Sequence, residues 1–428
     1  MKNIQPIVEN DNCTQCGTCF AVCPVDAIQM KYSDRRGLIP DVNQKVCTNC
    51  KKCLRVCPGE ELDLNALTRQ VFGKLPQNPL YGVYRKVYTG YSTNKQIRYN
   101  GASGGLVTTI LYELLKDKDI DGAMVVKMSQ DRPLEPDIFI ARSLDDLISA
   151  QQSKYLPVPM NVGLREIMKD TNGRYAVVGL PCHFHGLRLM ERLNNKLKDR
   201  IVLRIGLFCG FNPTMASTKF LLRRAGVKDF STVKEIKYRD GDWPCGFRAY
   251  LKDGTDRFLY PIKHFLFSHY LFERQRCAMC MDHLCELADM SLGDEWRADL
   301  KSSAAGWSFL MTRTKVADQF VEKLVRKSSV YLEEISPDII ASGQAATMIY
   351  KKRGTKAFAK IRSLMGKKVP NYLRNSKYQP KLRYYIGAAL VYFIPALFEK
   401  DFFSRMFIWV PTNIYNKYRN AILRFFRE

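Results

Sequence analysis

Residues Cys13-Thr14-Gln15-Cys16-Gly17-Thr18-Cys19-Phe20-Ala21-Val22-Cys23-Pro24 and Cys47-Thr48-Asn49-Cys50-Lys51-Lys52-Cys53-Leu54-Arg55-Val56-Cys57-Pro58 write one pattern twice, 34 residues apart. Each copy is C-x2-C-x2-C-x3-C-P, the thiolate spacing that holds cubane iron–sulfur clusters. Three thiolates two residues apart wrap a loop around three irons of one cubane, and the fourth cysteine, carried onward, ligates the other. On that crossing rule one 4Fe-4S cluster takes Cys13, Cys16, Cys19 and Cys57, and the second takes Cys47, Cys50, Cys53 and Cys23. A pair of four-cysteine zinc sites is the competing explanation, but such sites space their ligands as separated C-x2-C pairs. Tandem copies that both end in proline favour iron–sulfur. The chain is expected to move electrons.

At 428 residues the chain can bury more than one core. An apolar share of 46% and a charged share of 25% are those of a globular protein, which sets aside disordered and fibrous classes. Fourteen clustered cysteines, with no signal peptide in residues 1–10, predict a reducing cytoplasmic setting rather than a disulfide framework. The net charge of +25 is unevenly spread: residues 345–428 hold 18 Lys/Arg against 3 Asp/Glu, a local excess of +15.

The expected class is α+β. A two-cluster domain occupies 1–65 and a linker with proline stops at Pro76 and Pro79 occupies 66–85. A mixed α/β body follows in two parts, 86–170 and 171–343, and a basic, aromatic-rich helical tail fills 344–428. Within the first domain, Pro24–Ile28 can start a short helix and Gly37–Asp41 suggests a turn and strand. In the body, Asp121–Val126, Arg174–Gly179 and Ile201–Leu207 have the length and β-branching of buried strands. Helices are predicted at 104–117, 161–169, 183–198, 214–225 and 315–328.

Asn100-Gly101-Ala102-Ser103-Gly104-Gly105 leads into a helix with Leu106, Ile110, Leu111 and Leu114 on one face. Ser103 is a natural N-cap, and two glycines at a helix start open its N–H groups to a phosphate. Such starts often do no more than turn the chain. A third cysteine group, Cys277-x2-Cys280-x4-Cys285, supplies three thiolates, with Cys182, Cys209 or Cys245 as fourth ligand. Cys182 follows a predicted strand, where a turn presents a side chain at a sheet edge. A third 4Fe-4S cluster on Cys277, Cys280, Cys285 and Cys182 is the preferred reading, and zinc is second.

The order of these motifs resembles a known family. A bacterial-type two-cluster ferredoxin domain, then Ser103-Gly104-Gly105, Ser153-Lys154-Tyr155, Gly179-Leu180-Pro181-Cys182, the Cys277/Cys280/Cys285 group and Ala288–Trp296 is similar to the coenzyme F420-reducing hydrogenase/dehydrogenase beta-subunit family over roughly residues 1–340. The resemblance implies FAD, iron–sulfur clusters and electron exchange with a two-electron organic acceptor, coenzyme F420 in the family. It places Ser103, Gly104, Gly105 and Thr108 at the flavin phosphates and Lys154 and Tyr155 facing the flavin. Asp294 and Trp296 would shape the site. The chain departs from the family at His183, where glutamine commonly follows the Pro-Cys pair. His183 can donate a proton to a reduced product and is the candidate catalytic residue, with His185 two positions on. The bland alternative is a hydrogen-bonded histidine at a helix start. A non-catalytic electron-transfer subunit of a larger redox complex is the second functional reading, and the expected partner is a ferredoxin or another reduced carrier.

In the tail, Tyr384–Phe398 is fifteen residues without a charge, interrupted by Pro395 and too short to span a bilayer. Met406–Pro411 is a second apolar run. Lys351, Lys352, Arg353, Lys367 and Lys368 precede these runs, and Lys417, Arg419, Arg424 and Arg427 follow. Aromatic rings beside many cations suit a peripheral place on the anionic inner face of a membrane. Packing on the body ranks second, and nucleic acid last.

Overall fold

The computed structural model describes residues 1–260, 270–296, 305–374 and 379–426, so Arg427 lies outside them. The amino-terminal module carries its cysteines on loops that run into two short helices, Thr18–Val22 and Lys52–Arg55, beside an antiparallel hairpin of β1 (Ile28–Ser33) and β2 (Gly37–Val42). Pro24 and Val25 sit in a turn and Ile28 already opens β1, so the helix expected to start at Pro24–Ile28 is absent: β-branched Ile28 sides with the strand. Ile4, Ile7, Val8, Ile28 and Val42 make a small core with the cysteine side chains packed around it.

The body is built on β3 (Lys86–Ser92), β4 (Gly122–Met128), β5 (Pro136–Ala141), β6 (Tyr175–Gly179) and β7 (Ile201–Leu207), followed by β8 (Val233–Asp240), β9 (Gly246–Leu251), β10 (Asp256–Leu259), β11 (Met290–Asp294), β12 (Ser308–Thr312) and β13 (Val330–Glu334). Eight of these form one sheet in the order β13-β3-β12-β11-β7-β6-β4-β5, and β10-β9-β8 form a separate antiparallel sheet. The four central strands, β11, β7, β6 and β4, are mutually parallel, whereas β12 and β5 flank them antiparallel. The fold is therefore a mixed α/β arrangement around a large mixed sheet. Parallel strands buried on both faces explain why β4, β6 and β7 appear as continuous apolar runs.

The helix Leu106–Lys116 buries Leu106, Ile110, Leu111 and Leu114 against that sheet, the face its periodicity predicts. The stretch expected as one helix over 183–198 is two, Pro181–Glu191 and Asn195–Arg200, because Asn194 caps the second by accepting from Leu197 N. Residues 161–169 begin as a 3-10 turn, Met160–Gly163, before the α-helix Leu164–Lys169.

The tail packs on the body. Its helices Thr355–Leu364, Leu382–Phe398 and Thr412–Phe425 bury Phe358, Tyr384, Val391, Ile422 and Phe426 in one core with Phe211, Tyr270 and Met279. The helix Leu382–Phe398 runs through Pro395. Among the described residues no helix is long and apolar enough to cross a membrane.

Candidate functional site

Parallel strands aim the carboxyl ends of their chains in one direction, and in open α/β sheets ligands bind outside those ends. The main cavity, about 580 Å³, lies there. Val125 and Val126 of β4, Val178 and Gly179 of β6, Leu207 of β7 and Leu292–Asp294 of β11 line it, with the loop at Gly101–Gly105 and the residues just beyond β7, Cys209–Asn212.

Of the residues assigned to a flavin from sequence, Ser103, Gly105, Thr108, Lys154 and Tyr155 line this cavity. Gly104 instead lies behind it: its amide donates to Ser308 Oγ (2.9 Å), and a Cβ there would meet Gly90 O at 2.6 Å. Ser103 is not the N-cap. Its hydroxyl pairs with Ser308 Oγ (2.7 Å), and Gly105, in the left-handed region at φ 75°, is the cap, with no side chain satisfying the helix start. Glycine is needed there for its backbone, and the uncapped amides of Leu106, Val107 and Thr108 are left beside the cavity. Such a helix start favours an anion.

Lys154 Nζ donates to the carbonyls of Ala150 (2.6 Å), Gln151 (2.5 Å) and Gln152 (3.1 Å). Burial lowers its pKa to about 7, so it holds or releases a proton near neutrality. Tyr155 Oη accepts from Arg239 Nη1 (3.1 Å), and Arg239 also binds Asp294 (2.7 Å) and the carbonyl of Ala102. Arg239 is 1% exposed and ties three cavity elements together: the glycine loop, Tyr155 and the end of β11. Sequence reasoning missed it, since one arginine in an alternating strand carries no signal. Trp296, at the cavity wall, stacks obliquely on Trp243 with 5.3 Å between ring centroids.

His183 has no free nitrogen. Nδ1 accepts from Leu180 N (3.0 Å) and Nε2 donates to Val158 O (3.0 Å), which requires the neutral ring. Burial lowers its pKa to about 4. It caps its own helix and also borders the cavity, with both nitrogens engaged by backbone groups. His185 is also engaged, against Asp282 Oδ2 at 3.0 Å.

The amino-terminal cysteines fall into the two crossed sets. Cys23, Cys47, Cys50 and Cys53 line one small depression. Cys19 lies within electrostatic reach of Cys13, Cys16 and Cys57, and its pKa is pushed well up by burial and then by those thiols. Buried thiols that disfavour one another's ionisation suit a cationic metal core, which replaces the protons outright.

In the body the grouping differs from the expected one. Cys182 is in electrostatic reach of Cys209, Cys277 and Cys280, and burial, before these neighbours, raises it well above an ordinary thiol. Lys351, donating to Cys277 O (2.8 Å), faces Cys280, Cys277 and Cys209 together. Cys285 is also in electrostatic reach of Cys209 and Cys182; its thiol points at Gly179 O (3.9 Å), and a Cβ on Gly206 would meet its Sγ at 2.5 Å. Cys245 is buried beside Arg239 and Asp294. Cys182, Cys209, Cys277 and Cys280 are thus neighbours, and Cys285 is near Cys182 and Cys209.

Three cations bind the thiol sets into one unit. Arg274 Nη2 donates to Cys13 O (2.9 Å), Arg276 Nη2 donates to Pro58 O (2.8 Å), and Lys351 faces the body set. Arg165 donates to Phe20 O (2.6 Å), and Asn161 N donates to Cys16 O (2.9 Å). Cys16 and Cys182 are consequently close enough for their charges to interact. Arg274-Gln275-Arg276 directly before Cys277 was the sequence signal for this junction, and its spacing alone did not say what the arginines meet.

Comparison with known proteins follows the same divisions. A 4Fe-4S dicluster domain matches residues 12–60. The coenzyme F420 hydrogenase/dehydrogenase beta subunit matches with its N-terminal part at 87–165 and its C-terminal part at 172–338. The chain is 27% identical to an F(420)H(2) dehydrogenase subunit of Methanosarcina mazei, over 82% of this chain and 92% of that protein. It is 24% identical to the beta subunit of coenzyme F420 hydrogenase of Methanosarcina barkeri, over 61% and 87%. It is also 27% identical to coenzyme F420-dependent sulfite reductase of Methanocaldococcus jannaschii, over 78% of this chain and 49% of that one. The fold is similar to a chain of the F420-reducing NiFe hydrogenase complex from Methanosarcina barkeri, with TM-score 0.53 and 23% identity, over 69% of this chain and 99% of that one.

Proposed function

The chain belongs to the coenzyme F420 hydrogenase/dehydrogenase beta-subunit family, whose two parts together match more than half of it, and from that premise we propose that this iron–sulfur oxidoreductase-type subunit is a flavoprotein with three 4Fe-4S clusters and FAD. Electrons pass between the amino-terminal module and a two-electron organic acceptor, in either direction. The carrying observation is continuity: Cys16 reaches Cys182, Cys182 belongs with Cys209, and Cys209 is in the cavity wall.

Bound in these places, the clusters would carry single electrons and the flavin would exchange them for pairs. The residues supply the rest. The amides of Leu106, Val107 and Thr108 offer donors to a phosphate, and Gln151 Oε1, buried in the wall without a partner among the described residues, offers an acceptor to a ring N–H. Lys154 Nζ holds a proton beside the cavity at a pKa near neutrality. Arg239 keeps Tyr155 and Asp294 in register, and the apolar wall of Leu106, Val107, Leu111 and Val178 excludes water.

Anaerobic reconstitution of the full chain tests the reading. Three cubanes and one flavin predict about twelve irons and about one FAD per chain; about eight irons with no flavin bands would remove both the third cluster and FAD. The adaptor reading is favoured by the relatives named as subunits of larger enzymes. Flavin bleaching by a small acceptor or donor in the purified chain would exclude it. The tail's outward face, with Leu382, Phe402 and Trp409 at 80%, 68% and 89% exposure beside Lys381, Lys400 and Arg405, is read as a membrane-surface contact. Unchanged flotation of a Trp409→Ser/Phe402→Ser variant on anionic vesicles would dismiss it.

A further inference from the structure

The loop and short helix that carry Cys47, Cys50 and Cys53 span residues 43–56, where Lys45, Lys51, Lys52 and Arg55 meet no Asp or Glu in sequence. All four cations are exposed, as is Lys2, which joins Cys23, Cys47, Cys50 and Cys53 around the same depression. Among the described residues none of the five is in an ion pair. Asp26, three residues beyond Cys23, is held by Arg165 of the body at 2.7 Å. Cys50 itself is exposed. The module is held against the body where Asn161, Arg165, Arg274 and Arg276 meet the backbone at Cys16, Phe20, Cys13 and Pro58.

A ring of unpaired cations around a surface redox ligand is an electrostatic guide for something anionic. A lipid surface would want apolar side chains beside the cations, and within 43–56 the only large apolar side chain exposed is Val46. We propose that the basic rim formed by Lys2, Lys45, Lys51, Lys52 and Arg55 around Cys50 is the docking surface for an acidic one-electron carrier protein. It rests on the reading that the amino-terminal module exchanges electrons with an outside carrier. In each inward encounter the reduced carrier is oxidised by one electron, which the centre held by Cys23, Cys47, Cys50 and Cys53 takes up; no proton or bond changes hands.

The test uses the reconstituted full chain and a reduced, acidic bacterial ferredoxin as probe, in anaerobic stopped flow. Raising the ionic strength from about 20 to 300 mM should slow module reduction at least about 10-fold. Lys45→Glu/Lys51→Glu/Lys52→Glu should slow it about 10- to 100-fold at low salt. Lys228→Glu/Lys252→Glu, in two loops outside the module, should change it less than about 2-fold. Reduction by a neutral small donor must stay unchanged in every variant, which also shows that the clusters are intact. Salt-independent ferredoxin rates, or rim variants that match the control, overturn the docking surface. Rim variants that lose only anionic-vesicle binding, with carrier rates intact, overturn it in favour of a lipid. If the small donor also fails to reduce the module in the parent protein, the reading beneath it falls instead.

Discussion

Cys16 and Cys50 hold the same place in the two copies of the motif, and the protein treats them in opposite ways. Cys16 is 6% exposed, its carbonyl accepts from Asn161 of the body, and its neighbour Thr18 accepts from the Asn161 side chain at 2.7 Å. Cys50 is open to solvent among unpaired lysines, its pKa lowered by the backbone amide of Lys52, whereas burial pushes Cys13 of the inner set up to about 11. A duplicated ligand pattern thus makes two equivalent binding chemistries, and packing makes one a junction and the other a port. Gly17 marks the difference: it sits at φ 83°, and a Cβ there would meet Pro159 O at 2.7 Å, so the inner loop approaches the body as only glycine allows.

The strongest way to break the contrast is at the junction. Cys209→Ser should lower iron content by about four per chain and stop electron delivery from the module to the cavity, while Cys285→Ser should keep the full iron content. Iron analysis with electron paramagnetic resonance of the reduced protein checks both, and equal losses would contradict the assignment of Cys209. Next in size, Arg276→Gln removes a buried cation between the inner and body thiols and should destabilise the holoprotein by about 3–5 kcal/mol. Lys52→Gln at the port should stay within about 0.5 kcal/mol. Denaturant unfolding compares the two, and similar costs would erase the distinction between them.

Lys154 gives a pH-dependent effect. Its folded pKa of about 7 lies below the ordinary lysine value of about 10.4, so between those values the unfolded chain binds the extra proton. Stability should therefore rise as pH climbs through that window, by up to about 5 kcal/mol, with the full penalty present below pH 7. In Lys154→Met the rise should vanish, as thermal melts across pH would show. Smallest, Gly105→Ala forces a Cβ into the left-handed region and should cost about 1–2 kcal/mol, with weaker FAD retention measured by fluorescence. Unchanged retention would detach the helix start from the flavin.

Legibility followed the range of the forces involved. The amphipathic face Leu106/Ile110/Leu111/Leu114 and the buried strand Ile201–Leu207 were visible because both depend on periodicity and branching within a few residues. Ser103 was misjudged as a cap because Ser308, 205 residues away, claims its hydroxyl. His183 appeared as a proton donor until Val158 and Leu180 occupied both of its nitrogens. Composition could not show that, within the basic tail, Tyr384 and Phe426 stack on each other inside a core, with 5.4 Å between ring centroids.

By itself the sequence determined the two three-thiol loops, since ligands a few residues apart are brought together by local geometry, and the repeated motif gave the rule by which Cys23 and Cys57 cross over. It also determined which strands are buried. Only the tertiary structure decided that Cys209 lies with Cys182, Cys277 and Cys280, that Arg239 ties the cavity together, and that the inner thiol set faces the body while the outer one faces solvent. Those outcomes depend on contacts between residues far apart in the chain, formed when the parallel strands align their carboxyl ends and the module docks beside them.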